Sequence, residues 1–480
     1  MKVYLSLSGR LGKKLMMKSD RKLVVLSVVI LLSIHILLLF NLRFTAWPEM
    51  LSFPYLRNHG YFLYKDTIYP YTPVLIMALS ILFKIFGYKL MVLKIFTWAM
   101  ILGIDTLIFL IVKKLTNKYI FAYLTLIFYV LTQPFLEGNM LWFDLAIVPP
   151  ILFATLYMID ERSFRNLFIA GLSFGVAALI KQTAGVFLIA GILCLILKKE
   201  KIKKVVYFII GPSVMVMALL IRLITEGALQ GFIDWTLIYP FTFWSKFPGY
   251  VQMSLSNRQI FILALLILPV FIGLIFRGKK LLINHNFLLL TSYLLLSFVL
   301  IYPRFSFFHF QLCLAFMAII YGLFLSKDKI FLYLLCSAYF VFAIVVIRPV
   351  IAIDWQKEAR FWSEEDIKLA NLIRSKTKPD EKVYLLGLHS GLYVIADRLP
   401  PKPWLDNFGW FLEVPGVQEK IIENWSNSKP QNIVVSEPQP GNWYDLGAYR
   451  PQKIVNWIND NYKLEDKIDG GIQILVLRVK

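Results

Sequence analysis

One carboxylate, Asp66, stands in the aromatic stretch HGYFLYKDTIYPYTPV at residues 59–74. Aromatic side chains flank it on both sides, and Pro70 and Pro73 restrict the backbone that follows. A carboxylate held in such surroundings has a raised pKa unless it is paired, which suits proton abstraction. Asp66 is therefore the predicted catalytic base.

Further acids fall in or beside segments that are predicted below to face outward. They are Glu49, Glu137, Glu226, Asp234 and Asp144, the last of which lies just inside a hydrophobic run. An acid in a loop is most often simply solvated, and this is the expectation for Glu49, Glu226 and Asp234. Glu137 and Asp144 are predicted supporting acids, and they are the remaining candidates for the base if Asp66 is not.

The class of protein that must position these groups follows from composition. The 480 residues are 58% hydrophobic and 17% charged, and their mean hydropathy is +0.65. Apolar runs of nearly the length of residues 23–42 recur along the chain. A helix of that length matches a bilayer core of roughly 30 Å. The first run is too long for a signal peptide and is expected to remain as an anchor. The sequence predicts a polytopic α-helical membrane protein.

The formal net charge of +21 lies in the hydrophobic part of the chain. Residues 1–354 carry 34 Lys and Arg against 13 Asp and Glu, whereas residues 355–480 carry 17 of each. Basic clusters between hydrophobic runs are typical of cytoplasmic membrane loops, not of a nucleic-acid surface. No nucleic acid is therefore expected as a partner.

Placing the basic loops in the cytoplasm gives about eleven spans. They are predicted at 23–42, 91–112, 119–135, 141–159, 166–180, 184–197, 205–225, 259–276, 286–302, 311–326 and 330–351. The short segment 73–87 is predicted instead to be an amphipathic helix on the outer membrane surface. The N-terminus is then cytoplasmic, and the loop 43–90 and the C-terminal region face outward.

Two domains are predicted, a membrane domain at 1–354 and a small extracytoplasmic α/β domain at 355–480. The second region alternates predicted helices with predicted strands, which favours a partly parallel sheet. The strands are expected at 382–388, 432–437 and 472–479, and the helices near 364–376, 417–424 and 451–462. The three cysteines all lie in predicted spans and suggest neither a disulfide framework nor a metal site.

Four stretches together resemble the GT-C superfamily of glycosyltransferases. In that superfamily an aspartate follows the first span, a proline comes next, and an amphipathic segment ends in an FG turn. The matching stretches are NHGYFLYKDTIYPYTPVLIMALSILFKIFG (58–87), GLSFGVAALIKQTAG (171–185), YPRFSFFHFQLCLAF (302–316) and LIRSKTKPDEKVYLLG (372–387). The chain looks most like bacterial transferases of lipid-linked sugars that are akin to the aminoarabinose and protein O-mannosyl transferases.

The resemblance implies an inverting transfer at the outer face of an inner (plasma) membrane. A polyprenyl-phosphate-linked sugar is the implied donor, Asp66 deprotonates a hydroxyl acceptor on a glycan, lipid or protein, and the lipid phosphate leaves. Lys181, Arg304 and His309 are the cations expected to bind that phosphate. The side chains expected to line a groove for substrate and membrane lipid are Tyr64, Tyr69, Trp235 and Trp244.

The loop departs from the superfamily pattern in one respect. Some members carry a lysine just before the loop proline as a phosphate ligand, whereas here the segment reads YPYTP. Lys65, Arg57 or Lys84 would have to substitute for it. One lone aspartate argues mildly against an obligatory metal, but a divalent ion stays open with Glu137 or Asp144 as a second ligand.

Other classes of function remain open at this point. A transporter or flippase of lipid-linked sugars would explain Asp105 and Asp144 within spans, because intramembrane acids often mark pathways. An O-antigen polymerase or ligase is disfavoured because a cluster of outward arginines is missing. A non-catalytic assembly subunit is the remaining alternative.

Overall fold

The computed structural model describes residues 2–159, 163–198, 200–281, 284–326, 330–468 and 474–479. Seventeen α-helices precede residue 355 in this part of the chain. In order they are α1 (Lys2–Asn41), α2 (Glu49–Asn58), α3 (Val74–Phe86), α4 (Leu90–Thr116), α5 (Tyr119–Thr132), α6 (Phe143–Ala146), α7 (Val148–Met158), α8 (Phe164–Ile180), α9 (Gly185–Leu197), α10 (Ile202–Thr225), α11 (Leu229–Ile233), α12 (Tyr239–Thr242), α13 (Asn257–Leu281), α14 (His285–Val299), α15 (Gln311–Leu325), α16 (Ile330–Phe342) and α17 (Arg348–Asp354).

The helices bear out the predicted membrane fold. Among the described residues, five stretches are long and apolar enough to cross a membrane, and seven further apolar helices are shorter. The five long ones are Lys22–Asn41, Leu90–Thr116, Ile202–Thr225, Asn257–Phe276 and Ile330–Asp354. Six of the shorter ones coincide with the remaining predicted spans, and the seventh is α3, the predicted amphipathic helix. The predicted fold class is confirmed.

Two sequence features explain how the bundle packs. Every residue of α15 is buried, as expected for a helix that is apolar on all sides and lies at the centre of a bundle. Small residues let α8 approach α10 closely, since a Cβ on Gly171 would lie 1.8 Å from the backbone oxygen of Phe208. Gly175 packs in the same way against Pro212, so this pair of helices is fixed by backbone contact.

The C-terminal region forms a four-stranded sheet flanked by helices. Its elements are α18 (Glu364–Lys376), β1 (Val383–Leu386), α19 (Gly391–Ala396), α20 (Gly409–Leu412), α21 (Val417–Asn427), β2 (Asn432–Ser436), α22 (Gln452–Asn461), β3 (Tyr462–Ile468) and β4 (Ile474–Val479). The strand order is β1-β2-β4-β3, with β1 parallel to β2 and the other pairs antiparallel. The three predicted strands are present, the third over Ile474–Val479, since residues 472 and 473 of that prediction lie outside the described residues. The edge strand β3 is additional and was not predicted.

The loop between α1 and α3 is hydrogen-bonded to the C-terminal region. These two parts are named the outer loop and the external domain after their predicted side of the membrane. Backbone hydrogen bonds join Arg43 to Asp354 and Phe44 to Arg360. The Tyr55 hydroxyl donates to Asp397 at 2.9 Å, so α2 packs directly on the external domain. The fold thus holds the loop that was expected to carry the base between the membrane helices and the external domain.

Candidate active site

Three charged or titratable residues meet where α6, α8 and the loop before α15 converge. Lys181, the residue that follows α8, places its Nζ 2.6 Å from Oδ1 of Asp144. His309 places its Nδ1 2.9 Å from the other carboxylate oxygen. Asp144 is 1% exposed, so its charge is balanced by two neighbours rather than by water. The structure therefore brings together two predicted phosphate ligands and one predicted supporting acid.

Hydrogen bonds from the outer loops hold this cluster in place. Gln182, beside Lys181, donates to the backbone oxygens of Pro70 at 3.0 Å and Thr236 at 3.2 Å. Glu137 accepts the backbone N–H of Phe308 at 3.2 Å, next to His309. Glu137 is thus a support for the His309 loop, and it does not contact Asp144 within the part of the chain that the structure describes.

Tyr71 links the cluster to the outer loop. Its ring stacks on Phe143 with centroids 3.9 Å apart, directly beside Asp144. Burial raises the pKa of Tyr71 well above its ordinary value. The charges of Asp144 and Glu49 raise it further, whereas Arg304 lowers it, so charges of both signs act on this phenol.

Arg304, the third predicted phosphate ligand, lies at the edge of this region. Its Nε donates to the backbone oxygen of Tyr250 at 2.8 Å and its guanidinium to that of Gly249 at 3.1 Å. The guanidinium also stacks on Trp410 of the external domain, 4.2 Å from the ring centroid. Arg304 therefore joins three segments, and no described contact binds it to Asp144.

Asp66 joins the outer loop to the external domain. Its Oδ2 lies 3.0 Å from Nζ of Lys402 and accepts the backbone N–H of Phe62 at 2.9 Å. Its backbone oxygen accepts the N–H of Trp404 at 2.8 Å. None of its described contacts reaches Asp144. The role of Asp66 as a base stays a prediction, and its structural role is an anchor.

Glu49 is the outer-loop carboxylate whose charge, together with that of Asp144, acts on Tyr71. It opens α2, and its Oε2 is fully buried with no hydrogen-bond partner among the residues that the structure describes. Burial raises its pKa to about 8, and the neighbouring Asp406 contributes to the rise. The prediction from the sequence that Glu49 is a solvated acid is therefore wrong for its Oε2. The segment MLSFPYL that follows Glu49 is buried throughout. Its apolar composition is the sequence signal that could have indicated a buried position for Glu49.

The four aromatic residues predicted to line a groove are all buried in the protein. Tyr64 borders a cavity near α3, whereas Tyr69 packs edge-on against Phe53. Trp235 and Trp244 stack on each other under Phe411 of the external domain. These tryptophans are therefore part of a packed interface rather than an open groove. Contact of any of the four with a substrate stays a prediction.

A buried polar chain runs from the first span to the same loops. His35 binds Asp105 at 2.7 Å through Nδ1 and Gln133 at 3.1 Å through Nε2. Gln133 donates to Gln311 at 3.0 Å, and Gln311 donates in turn to the backbone oxygen of Phe307 at 3.1 Å. The pattern indicates that Asp105 pairs with a neighbouring span and supports the His309 loop.

The described residues contain no group of three or more His, Cys, Asp and Glu side chains that could hold a metal ion. Asp144, one of the two acids considered as a second metal ligand, directs its oxygens to Lys181 and His309. A requirement for a divalent ion stays open to experiment.

Comparison with known proteins identifies the fold. Residues 70–224 match the sequence profile of the dolichyl-phosphate-mannose-protein mannosyltransferase family. A search of curated protein sequences found no match. ArnT from Cupriavidus metallidurans superposes in its apo state with a TM-score of 0.61 and 12% identity, over 95% of this chain and 98% of that one. The same protein bound to undecaprenyl phosphate gives a TM-score of 0.59 and 11% identity over the same shares.

Two further structures share the architecture. AglB, the oligosaccharyltransferase of Archaeoglobus fulgidus, in complex with an inhibitory peptide and a dolichol-phosphate, gives a TM-score of 0.54 at 11% identity, over 87% of this chain and 70% of that one. The mycobacterial arabinofuranosyltransferase AftD gives 0.52 at 10% identity, over 96% of this chain and 40% of that one. The GT-C fold inferred from the sequence is confirmed, and the prediction of a glycosyltransferase agrees with these matches.

Proposed function

We propose that the protein is an inverting glycosyltransferase that moves a sugar from a polyprenyl-phosphate donor to a hydroxyl acceptor. The observation that carries this proposal is the buried cluster of Asp144, Lys181 and His309 beside the outer loop. The same fold binds undecaprenyl phosphate in ArnT and a dolichol-phosphate in AglB. A lipid phosphate is thus the ligand that this arrangement of cations suits.

Lys181 and His309 are proposed to hold the leaving phosphate. Asp144 accepts from one donor of each residue, and Lys181 also donates to the backbone oxygen of Leu300 at 3.4 Å. One N–H of Lys181 remains for the phosphate, because an ammonium carries three. His309 keeps Nε2 without a partner among the described contacts. Charge-assisted hydrogen bonds from these groups would stabilise the negative charge that develops on the phosphate oxygen as its bond to the sugar breaks.

Glu49 is proposed to accept the proton of the acceptor hydroxyl. That oxygen then attacks the anomeric carbon from the side opposite the phosphate, and the electron pair of the breaking bond stays on the phosphate. A carboxylate with a raised pKa is a stronger base than an ordinary one, and burial of Oε2 leaves it unsolvated. Asp66 remains the alternative base, and its ion pair with Lys402 weighs against it.

The proposed orientation places the N-terminus in the cytoplasm and the external domain outside, in an inner (plasma) membrane. The distribution of basic loops supports this orientation. A reporter fused after Lys480 should be active only outside the cytoplasm. Activity confined to the cytoplasm would reverse the topology and remove the outer face as the place of transfer.

The activity is tested with purified protein and a polyprenyl-phosphate donor that carries a labelled sugar. An enzyme releases free polyprenyl phosphate in step with labelled product. A flippase in vesicles moves the intact donor across the bilayer and cleaves nothing, and a scaffold does neither. Transport without release would establish the rival function.

A further inference from the structure

A cavity of about 270 Å³ lies between the C-terminal end of α2, the amphipathic helix α3 and the end of α10. Arg57, Lys84, Arg222 and Glu226 are the charged residues that line it. Three cations face one carboxylate, so the formal charge of the cavity wall is +2. Such a wall favours an anion.

The single carboxylate is already committed. The Arg222 guanidinium contacts Glu226 at 2.8 Å through two of its nitrogens. The side chains of Arg57 and Lys84 have no hydrogen bond and no ion pair among the described residues. Burial lowers the pKa of Arg57, and the charge of Arg222 lowers it further. The charge of Glu226 acts in the opposite direction, and an anion in the cavity would balance the positive charge that remains.

The remaining wall is apolar and continues into the membrane-facing surface. Met77 and Leu223 line the cavity beside the cations. On the outward side of the same helices, Ile85 is 67% exposed and Ile224 is 62% exposed, as expected of residues that face lipid. The cavity therefore combines a cationic wall with neighbouring apolar surface, which suits the head group of an anionic lipid.

One short segment separates this cavity from the Lys181 cluster. Tyr64 lines the cavity and donates to the backbone oxygen of Tyr71 at 2.5 Å. From the other side, Gln182 binds the backbone oxygen of Pro70. Two sets of cations thus lie on opposite sides of residues 70–73. The donor phosphate is proposed to bind one of them, and the other favours a second anion.

We propose that the second anion is the phosphate of the acceptor, so that the acceptor is a phosphate-bearing lipid that enters from the bilayer. Arg57 and Lys84 bind its phosphate, and a hydroxyl of the same lipid reaches the outer-loop carboxylate. The proposal rests on the proposed glycosyltransferase function and names the class of its acceptor.

Binding is measured first, because it needs no turnover. The probe is dioctanoyl phosphatidic acid, applied to detergent-purified protein. The double variant Arg57→Gln, Lys84→Gln should bind it at least about 10-fold more weakly, since two charge-assisted hydrogen bonds are lost. The matched control is Lys89→Gln, which removes an exposed cation at the start of α4 that does not line the cavity. This control should bind the probe as the wild type does.

Three results of the binding experiment would overturn the proposal. They are equal binding by the wild type and the double variant, displacement of the probe by undecaprenyl phosphate, and equally tight binding of inorganic phosphate. The second would show that the cavity belongs to the donor, and the third that no lipid is needed. Thermal melting and restored binding in Arg57→Lys, Lys84→Arg separate lost charge from lost folding.

The acceptor itself is identified by turnover. Protein, labelled donor and a total lipid extract are incubated, and the lipids are separated by anion exchange. Because the donor is itself anionic, the label should appear in the retained fraction as a new species distinct from the donor, and the double variant should lose this product while donor binding persists. Label in the neutral fraction, with release of polyprenyl phosphate, overturns the acceptor class and leaves the glycosyltransferase function intact. Absence of any release overturns that function instead.

Discussion

Lys181 and Asp144 form a buried ion pair, with Nζ of the lysine 2.6 Å from Oδ1 of the aspartate. The pair joins the end of α8 to the short helix α6, and His309 binds the second oxygen of the same carboxylate. Lys181 can therefore serve two purposes, which are to neutralise Asp144 and to bind the donor phosphate. The two are separable by experiment.

Lys181→Ala should lower both stability and transfer. Loss of one partner of a buried pair costs about 3–5 kcal/mol, because the remaining charge is left uncompensated. The double variant Asp144→Asn, Lys181→Ala removes both charges and should regain most of the thermal stability. Its transfer rate should stay low if the lysine binds phosphate. Recovery of transfer along with stability would show that Lys181 serves only Asp144.

Glu49→Gln should abolish most transfer while the donor still binds. The substitution keeps the shape of the side chain and removes the base, so the turnover rate should fall by about 10²–10⁴-fold. Donor affinity, measured by binding of labelled polyprenyl phosphate, should change little. The matched variant Asp66→Asn removes a partly exposed ion pair, which is typically worth about 0–1 kcal/mol. A large loss in Asp66→Asn with normal turnover in Glu49→Gln would restore Asp66 as the base.

The rate of transfer should depend on pH through Glu49. Burial and the charge of Asp406 raise the pKa of this carboxylate to about 8, and a base acts only after it has lost its proton. The turnover rate should therefore rise with pH up to about 8 and then level off. Asp406→Asn removes the neighbouring charge and should shift the profile to lower pH. An unchanged profile in that variant would contradict the coupling.

Stability should change with pH in the opposite direction. A carboxyl group whose pKa is raised in the folded protein binds a proton that the unfolded chain releases, so its contribution is present at low pH. That contribution is lost as the pH rises through about 8 for Glu49 and about 7 for Asp406. Melting temperatures that do not fall over this range, or that fall equally in Glu49→Gln, would contradict this assignment.

The features that the sequence predicts are set within single segments, whereas those that it does not predict depend on contacts between residues far apart in the chain. The spans and α3 follow from apolar runs and helical periodicity within single segments, and the structure has them. The partner of Asp66 lies 336 residues away in the external domain, and Asp406 is similarly remote from Glu49. No local pattern reveals such a neighbour. The sequence therefore favours Asp66, which has aromatic surroundings, over Glu49, whose Oε2 is buried in the fold.

The meeting of the cations at Asp144 and the presence of β3 also depend on contacts between distant segments. The sequence predicts that Lys181 and His309 face outward. Their meeting at Asp144 depends on α6, the end of α8 and the loop before α15, which are separate in sequence. The strand Tyr462–Ile468 carries little apolar patterning and exists because β4 supplies hydrogen-bond partners along its edge. Tertiary pairing decides both features.

His35→Ala should destabilise the membrane bundle strongly. Its Nδ1 is the described partner of Asp105, and the variant leaves that carboxylate buried and unpaired at a cost of about 3–5 kcal/mol. The double variant His35→Leu, Asp105→Leu replaces the pair by apolar groups and should melt near the wild-type temperature. A small effect of His35→Ala in thermal unfolding would mean that water or another group reaches Asp105.

Trp410→Ala should weaken donor binding with little effect on turnover at saturation. Arg304 stacks on this indole at 4.2 Å, and a cation–π contact of this kind is worth about 0.5–2 kcal/mol. Loss of the contact should leave Arg304 on its two backbone acceptors and the ring of Tyr250, and raise the KM for the donor by about 2- to 30-fold. Arg304→Ala should raise it further, because the charge itself is lost. Trp443→Ala, which removes an exposed tryptophan of the same domain, is the control and should leave KM unchanged. A normal KM in Arg304→Ala would show that this arginine only fastens the external domain to the loop before α15.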